Sequence, residues 1–341
     1  MSSARPASVA APGSLRGRDL ISASDLDPSE IRRVLATATR LKAEFAGDRR
    51  HARPPLVRRT LAMLFEHPSL RTRVTFEAGM VQLGGSAIQL TSGNAGWGVR
   101  ETIADVARNL QGFVDGIVIR TGPHEVAVEF AAQADIPVIN ALTLREHPCQ
   151  AYADVFTIQE VRGPIAGRVI AFVGDGNNVF HSLALAAVGQ GATIRLAHPD
   201  GYGPDQGIIA IVERLAAEHG GRLEVARDPR ELVDGADVIY TDAWTSMGQE
   251  AEEADRRAAF AGYQVNAELI RIAGPEAIVM HCLPAHRGQE ITSEVMDGPQ
   301  SVVFRQSENR LHVQKGLLVE ILGDPGEPGL TTSEPATIGT P

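Results

Sequence analysis

Short apolar runs alternate with amphipathic segments along most of the chain. Each run has the length and the bounding turn residues of a buried strand, and the runs cover 60–66, 86–91, 115–120, 136–140, 168–174, 192–197, 237–241, 277–283 and 301–304. Between them, apolar residues recur at helical spacing, and the first helix is predicted to begin at Asp27-Pro28-Ser29-Glu30. Strands interleaved with helices predict parallel sheets built from crossover units.

The alternation has a natural division near residue 150. A helix from about Pro148 to Val161 is predicted to bridge two halves, and the last helix, Ser307 to Leu322, is predicted to pack back on the first half. We therefore expect an α/β protein with two doubly wound parallel-sheet domains and the active-site cleft between them. The predicted limits are 18–150, with 306–323 packing back on it, and 151–305.

Both ends of the chain depart from this pattern. Residues 1–17 are rich in Ala, Ser, Pro and Arg, which superficially suggests a transit peptide, but the stretch is short and has no amphipathic pattern. Residues 324–341 are rich in Gly, Pro, Thr, Ser and Glu. We expect both segments to be disordered tails.

Composition and charge exclude several kinds of partner. The 341 residues are 43% hydrophobic and carry a net charge of −10, which disfavours nucleic acid and anionic membranes. No apolar run reaches membrane-spanning length. An anionic substrate must therefore be held by local arginines. The two cysteines, Cys149 and Cys282, form no disulfide framework, which favours a reducing cytoplasm.

The turn from Pro68 to Arg73 carries more charge than a helix start requires. It follows the first apolar run and precedes an amphipathic segment that carries Val74, Ala78 and Val81. Ser69 could cap the helix, but two arginines and a second hydroxyl are not needed for capping. Together with the free backbone N–H groups of a first helical turn, they predict a phosphate site.

Polar residues also mark the later strand ends of the first half. Arg120 ends the run 115–120, where a charged residue leaving a strand for solvent is the plain alternative. His147 and Gln150 are three apart in the first turn of the bridging helix, so they project the same way and can donate to a carbonyl or an amide. A histidine that only caps the helix explains this pattern equally well.

A glycine-rich turn, Gly174 to Asn178, follows the first strand of the second half and resembles half of a dinucleotide fingerprint. Val179 fills the third glycine position, and no acidic residue closes the unit at the expected distance. NAD binding is therefore rejected. The paired asparagines could instead bind the amino and carboxylate groups of an amino acid.

Three further segments complete the set of candidates. Asp242 follows a strand and could meet an ammonium group or simply cap a loop, and Ser246-Met247-Gly248 after it could form a mobile flap. Cys282, beside a histidine at a strand exit before proline, is expected to have a lowered thiol pKa, whereas Cys149 is expected to be a small buried hydrophobe. Arg310, near the start of the last helix, offers another cation close to the cleft.

Taken together, these segments resemble the aspartate/ornithine carbamoyltransferase family over roughly residues 18 to 323. The part common to the family is Ser69-Leu70-Arg71-Thr72-Arg73, Arg120 and His147-Pro148-Cys149-Gln150. The ornithine-type part is Gly174-Asp175-Gly176-Asn177-Asn178, Asp242 to Gly248, and His281-Cys282-Leu283-Pro284. An aspartate-specific member is expected to lack the Ser-Met-Gly flap and the His-Cys-Leu-Pro motif.

The resemblance implies a role for each motif. The catalytic residues would be Cys282, Arg120, His147 and Asp242. Carbamoyl phosphate would be bound by Ser69, Leu70, Arg71, Thr72, Arg120, His147, Gln150, Cys282, Leu283 and Arg310. Ornithine would be bound by Asn178, Asp242, Ser246 and Met247.

The resemblance also implies the reaction. The carbamoyl group of carbamoyl phosphate would pass to the side-chain amine of L-ornithine, giving L-citrulline and phosphate in arginine metabolism. The amine would lose its proton, attack the carbamoyl carbon and form a tetrahedral oxyanion before phosphate leaves. No metal and no organic cofactor is expected. The family further implies a homotrimer, or a multiple of trimers, with active sites at subunit interfaces.

Two positions depart from the family pattern. Leu70 replaces the commoner threonine, so one hydroxyl is lost while the backbone N–H can still serve phosphate. In the loop from Thr91 to Arg100, family members reach into a neighbouring subunit's site with Gln or His, but here Gly96 holds that position. Trp97 or Arg100 could take its place, and Trp97 could equally be interface packing.

Two other functions remain as alternatives. The acceptor could be another amine, such as putrescine, N-acetylornithine or N-succinylornithine, although the paired Asn177-Asn178 and the intact Ser-Met-Gly favour free α-groups. A non-catalytic paralogue, serving as a regulatory or scaffolding subunit, would be expected to lack central site residues. None of them is missing from the sequence.

Overall fold

Two parallel sheets with helices packed against them form the framework of the computed structural model, which describes residues 14–47, 49–91, 97–98, 100–245 and 249–324. The first sheet has the strand order β2-β1-β3-β4. Its strands are β1 (Thr60–Phe65), β2 (Ser86–Thr91), β3 (Gly116–Arg120) and β4 (Val138–Leu142). The helices of this half are α1 (Pro28–Phe45), α2 (Leu70–Gln82), α3 (Ile103–Leu110) and α4 (His124–Gln133).

The second sheet has the order β7-β6-β5-β8-β9. Its strands are β5 (Val169–Val173), β6 (Thr193–Ala197), β7 (Arg222–Ala226), β8 (Val238–Thr241) and β9 (Ile278–His281). Its helices are α6 (Asn178–Val188), α7 (Gln206–His219), α8 (Pro229–Val233), α9 (Glu253–Ala259), α10 (Ala267–Ala273) and α11 (Ser293–Met296). The strand order reverses between β1 and β3 and between β5 and β8, which puts the expected ligand crevice beyond the carboxyl ends of these strands.

Two long helices join the halves. Helix α5 (Pro148–Arg162) runs from the first sheet to the second and is buried along most of its length. Helix α12 (Val303–Leu322) packs against α1, α2 and α5, so the predicted return of the last helix to the first half is confirmed. The domain limits 18–150 and 151–305 stay a proposal. No helix in the described ranges is long and apolar enough to cross a membrane.

The start of α1 shows how local signals fix an element. The Asp27 side chain accepts hydrogen bonds from the backbone N–H groups of Ser29 and Glu30, and the Glu30 side chain accepts from the Asp27 N–H. This reciprocal capping satisfies donors that would otherwise lack partners. The apolar stripe that follows, Ile31, Val34, Leu35, Ala38 and Leu41, is buried.

The structure differs from the predicted elements at three places. Strand β7 escapes the pattern analysis because it is a partly buried edge strand, with no fully buried residue. The apolar run 301–304 is not a strand, since α12 begins at Val303 and Ser301 makes only an isolated bridge. In α2 the core face carries Phe76 and Met80, whereas Val74 and Val81 are exposed. The predicted tails lie largely outside the described residues, at 1–13 and 325–341.

Replacing Gly316 by alanine should lower the thermal midpoint of unfolding. A Cβ at Gly316 would lie 2.7 Å from the carbonyl oxygen of Val34 and 3.2 Å from the Cβ of Ala38 in α1. Such overpacking costs about 1–3 kcal/mol, and the better helix propensity of alanine, worth about 1 kcal/mol, offsets only part of it. Differential scanning calorimetry measures the midpoint.

Gly79→Ala is the matched control. Gly79 lies in α2 and faces the same helix, but its Cβ would be 3.4 Å from Cγ of Lys315, which is ordinary contact. Its thermal midpoint should stay equal to that of the wild type or rise. If the thermal midpoint of Gly316→Ala were as high as that of this control, α1 and α12 would be able to move apart at little cost, contrary to the expected overpacking.

Candidate active site

Polar segments that follow the strands of both sheets meet in one cleft. The first sheet contributes the start of α2 after β1, Arg120 at the end of β3 and the start of α5 after β4. The second sheet contributes the start of α6 after β5, Asp242 after β8 and Cys282 after β9. Helix α12 adds Arg310, which bonds to the first turn of α2.

The hydroxyl of Thr72 is the meeting point of two guanidinium groups. Nη2 of Arg310 donates to Oγ1 of Thr72 over 2.6 Å, and Nη1 of Arg120 donates to the same oxygen over 3.5 Å. Both arginines are buried. Burial, and then the charges of Arg310 and Arg71, lower the pKa of Arg120 to about 10. Three like charges held together in this way favour an anionic ligand.

The first turn of α2 adds hydrogen-bond donors to these charges. The Ser69 side chain, at the N-cap, makes no capping hydrogen bond. The first backbone N–H groups of a helix have no partner within the helix, and the helix dipole is positive there. Leu70 is 74% exposed, so only its backbone can contribute. This turn and the arginines together fit a phosphate group.

His147 and Gln150 lie at the start of α5, close to the arginines. The backbone N–H of His147 donates to Oγ of Ser182 at 2.8 Å, which ties the start of α5 to α6. Burial, and then the nearby arginine charges, lower the pKa of His147 well below its ordinary value, so its imidazole is neutral. Within the described ranges, Nδ1 of His147 and Oε1 of Gln150 are buried without a hydrogen-bond partner. Both atoms can therefore serve a polar ligand.

Cys282 and Asp242 form a hydrogen-bonded pair on the other side of the cleft. Sγ of Cys282 donates to Oδ1 of Asp242 at 2.8 Å, and Nδ2 of Asn177 donates to Oδ2 at 2.9 Å. Burial and the adjacent carboxylate raise the pKa of Cys282 well above its ordinary value. The predicted lowering of this pKa is wrong, because the thiol is buried and the charge in direct contact with the sulfur is negative. The thiol keeps its proton and donates it to the carboxylate.

The other predicted acceptor-side residues have different surroundings. Nδ2 of Asn178 donates to the backbone carbonyl of Thr143 at 2.7 Å, which links the start of α6 to the loop after β4. Leu283 has a φ of 60°, and its N–H donates to Nδ1 of His281 at 2.8 Å. A non-glycine residue in this region is held there by its surroundings. Ser246 and Met247 lie outside the described residues.

Asp242, His281 and Cys282 have the chemistry of a metal-ligand set, and their ligand atoms lie within 4.8 Å of one another. Both ring nitrogens of His281 are engaged, however. Nδ1 accepts from the Leu283 N–H, and Nε2 lies 3.1 Å from Oε1 of Glu290. A metal ion would have to displace one of these bonds, so the donor set fits a metal poorly. The expectation of a metal-free site stays a prediction.

Trp97 belongs to the core of its own chain. Its side chain is buried, and Nε1 donates to Oε1 of Glu66 over 3.3 Å. Trp97 thus packs within its own chain, and a contact of this residue with a neighbouring subunit stays a prediction. Arg100 is exposed, and the loop position of Gly96 lies outside the described residues.

Asn177, which the sequence analysis considered only as part of an asparagine pair, has a structural role that it did not assign. Its Oδ1 accepts from the backbone N–H groups of Val179 and Phe180, as an N-cap of α6, while its Nδ2 holds Asp242. The capping signal, an asparagine just before an apolar helix, was available in the sequence. The second bond to Asp242 was not, because it joins two different strand ends.

Comparisons with known proteins match both halves of the chain. The family profile described as aspartate/ornithine carbamoyltransferase, carbamoyl-P binding domain, matches residues 18–160, and the profile for the Asp/Orn binding domain of that family matches 166–321. A curated relative, the ornithine carbamoyltransferase of Bacillus subtilis, is 50% identical over 309 residues, which are 91% of this chain and 95% of the relative.

Solved structures are similar over the same length. The structure of ornithine carbamoyltransferase from Pyrococcus furiosus has a TM-score of 0.88 and 48% identity, covering 91% of this chain and 98% of that one. The anabolic ornithine carbamoyltransferase of Campylobacter jejuni has a TM-score of 0.83 and 34% identity, covering 88% of this chain and 97% of that one.

The raised pKa of Cys282 predicts slow alkylation by iodoacetamide at neutral pH, since the thiolate is the reactive form. Asp242→Asn removes the carboxylate that raises this pKa. The thiolate fraction at a given pH, and with it the alkylation rate, should then increase several-fold. Mass spectrometry of the peptide that carries Cys282 measures the rate.

Cys149 provides an internal control within the same protein. It is fully buried, and burial raises its pKa to about 12, so it should stay unmodified in both proteins. Equal alkylation rates of Cys282 in the wild type and in Asp242→Asn would contradict the assigned effect of the carboxylate.

Proposed function

Because the chain belongs to the aspartate/ornithine carbamoyltransferase family, we propose that it transfers the carbamoyl group of carbamoyl phosphate to the side-chain amine of L-ornithine, giving L-citrulline and phosphate. The observation that carries this proposal is the arginine cluster around Thr72 opposite the Cys282–Asp242 pair. Relatives named as anabolic ornithine carbamoyltransferases support a place in arginine metabolism. Two free cysteines support a cytoplasmic location.

Carbamoyl phosphate would lie across the first half of the site. Its phosphate would meet the α2 turn through Ser69, the Leu70 N–H, Arg71 and Thr72. Its carbamoyl group would meet Arg120, His147 and Gln150, with Arg310, Cys282 and Leu283 closing the site. A neutral imidazole can donate one hydrogen bond to the carbamoyl oxygen without repelling the arginines. Arg120 would stabilise the negative charge that develops on this oxygen.

Ornithine would lie on the acceptor side, and Asp242 would attract its positive charge. Asn178, Asp242, Ser246 and Met247 are the proposed contacts of the α-amino and α-carboxylate groups. The side-chain ammonium must lose a proton before the nitrogen can attack. Cys282 bonds to Asp242 with its own proton retained, so the carboxylate is the proposed acceptor and the thiol orients it. The amine then adds to the carbamoyl carbon. As the tetrahedral oxyanion collapses, the C–O bond to phosphate breaks, and the attacking nitrogen gives its remaining extra proton to the departing phosphate.

Ornithine should be converted to citrulline with a kcat/KM well above the corresponding value for putrescine, N-acetylornithine or N-succinylornithine. The reason is that a pocket built for free α-groups leaves buried polar groups unpaired with the other amines. A coupled phosphate assay with identification of each product measures the four values. A higher value for any other amine would reassign the acceptor, and activity with none of them would favour a non-catalytic paralogue.

Arg71 and Arg73 provide a matched pair of variants for this assay. Arg71 points into the cleft, where burial lowers its pKa and the negative charge of Asp242 reaches it. Arg73 is exposed and pairs with Glu77 at 3.5 Å. Arg71→Ala should reduce kcat/KM for carbamoyl phosphate by roughly 100-fold or more, while Arg73→Ala should stay near the wild type.

We also propose a homotrimer, supported by an apolar stripe on the first half. Leu70, Val74 and Val81 share one exposed face of α2, and Ile88 is exposed on the neighbouring edge strand β2. An apolar helix face beside an open sheet edge is typical of a surface covered by another chain. The number of subunits, a trimer or a multiple of trimers, follows from the family resemblance.

Introducing a charge into this stripe should dissociate the assembly. Val81→Glu places a carboxylate in the interface, where an unpaired charge is costly to bury. Mass photometry should then give a smaller species than that of the wild type. Val225→Glu is the control, because Val225 is also an exposed valine but lies on β7 at the far edge of the other sheet. Dissociation by Val225→Glu alone would move the interface to the second half.

A further inference from the structure

Asp154 is a fully buried carboxylate one helical turn after Gln150 on α5. Oδ1 accepts from Nε2 of Gln150 at 2.8 Å and from Nε2 of Gln306 at 2.7 Å. Oδ2 accepts from the hydroxyl of Tyr240 at 3.0 Å. All three donors are uncharged, and burial raises the pKa of Asp154 to about 7. An acidic side chain is thus held in the core by three neutral hydrogen-bond donors, and the charge of Arg310 offsets part of the cost of its burial.

The bond to Asp154 decides which end of the Gln150 amide faces the cleft. Because Nε2 of Gln150 is used by Asp154, Oε1 is the end that remains. Oε1 is buried and has no hydrogen-bond partner among the described residues. A carbonyl oxygen accepts hydrogen bonds, so it suits the NH₂ of a carbamoyl group. If the Gln150 amide flipped, its own NH₂ group would face the NH₂ group of the carbamoyl substrate, and two donors cannot bond to each other.

The same carboxylate reaches the other half of the site through two further side chains. Gln306 on α12 bonds to Asp154 with Nε2 and accepts the backbone N–H of His281 with Oε1 at 2.9 Å. His281 directly precedes Cys282. Nε2 of Gln306 also lies 3.0 Å from the hydroxyl oxygen of Tyr240. Tyr240 is on β8, two residues before Asp242. The hydrogen bonds of Asp154 therefore connect both sides of the cleft. Gln150 lies on the side of the first sheet, and Gln306 and Tyr240 hold the strand ends that carry Cys282 and Asp242.

We propose that Asp154 is a positioning residue, which turns the carbonyl oxygen of Gln150 toward the carbamoyl nitrogen and holds the ends of β8 and β9 in register with it. This inference rests on the proposed carbamoyl transfer. A purely structural role is the competing explanation. The two explanations predict different effects of a substitution. Loss of a positioning residue changes the binding of carbamoyl phosphate through Gln150, whereas loss of a purely structural residue changes only the stability of the fold.

Steady-state kinetics of two Asp154 variants tests the orientation of Gln150. Asp154→Leu has no acceptor, so the amide is free to flip, and the KM for carbamoyl phosphate should rise about tenfold or more. Asp154→Asn keeps an oxygen that can accept from both glutamine amides, so its KM should stay within about threefold of the wild type. Asp154→Ala, which leaves room for water, repeats the measurement if leucine prevents folding.

A double-mutant cycle shows whether the effect passes through Gln150. Once Gln150→Ala has removed the amide, adding Asp154→Leu or Asp154→Ala should not raise the KM for carbamoyl phosphate further. If the increases in KM caused by the two substitutions multiplied in the double variant, the proposal would be overturned. It would also be overturned if Asp154→Leu and Asp154→Ala both kept the wild-type KM. If the wild type itself formed no citrulline, the proposed function would fail instead, which separates the two conclusions.

Thr157→Val is the matched control on the same helix. Thr157 is fully buried, and its Oγ1 accepts from Nδ2 of Asn309 at 2.9 Å, so it joins α5 to α12 without touching Gln150. Its substitution should lower the thermal midpoint and leave the KM for carbamoyl phosphate unchanged. A tenfold rise of this KM in Thr157→Val would show that any loosening of α5 and α12 suffices, and would overturn the specific role of Asp154.

Discussion

The convergence of buried guanidinium groups on one hydroxyl is the constraint on which the rest of the site depends. Like charges repel strongly away from water, so they stay together only while packing holds the elements that carry them. The bond between Thr72 and Arg310 joins residues 238 positions apart and connects α2 to α12. The packing of α12 against α1, α2 and α5 is therefore part of the anion site. A bound phosphate would relieve a repulsion that the fold otherwise sustains.

The charges of the cleft are separated in a way that suits two substrates of opposite character. The arginines lie on the side of the first sheet, and the carboxylate of Asp242 lies on the side of the second. Between them, burial and then the arginine charges keep His147 neutral, and burial and then the carboxylate keep Cys282 protonated. Burial and the charged neighbour act in the same direction on each of these two groups. An anion and an ammonium group would therefore enter with their reactive ends facing each other.

The sequence was sufficient where the deciding interactions are local. The capping box of α1 and most buried strand runs are fixed by neighbours in the chain, and they were predicted with nearly correct limits. It was insufficient where a distant group decides the outcome. The thiol pKa had the wrong direction because Asp242 lies 40 residues away in sequence but 2.8 Å away in space. The wider network of Asp154 gave no signal, since Gln306 and Tyr240 are 152 and 86 positions distant.

Leu70 shows how one residue can serve two different needs of the same helical turn. In the proposed function its backbone N–H lies in the anion site, while its side chain is 74% exposed and extends the apolar stripe toward Val74. A threonine there would add a hydroxyl for phosphate, whereas leucine adds apolar area for a covering subunit. In the proposed trimer, covering the stripe would also restrict the motion of the first turn of α2. Backbone N–H groups that assembly holds in place would then compensate for the missing threonine hydroxyl.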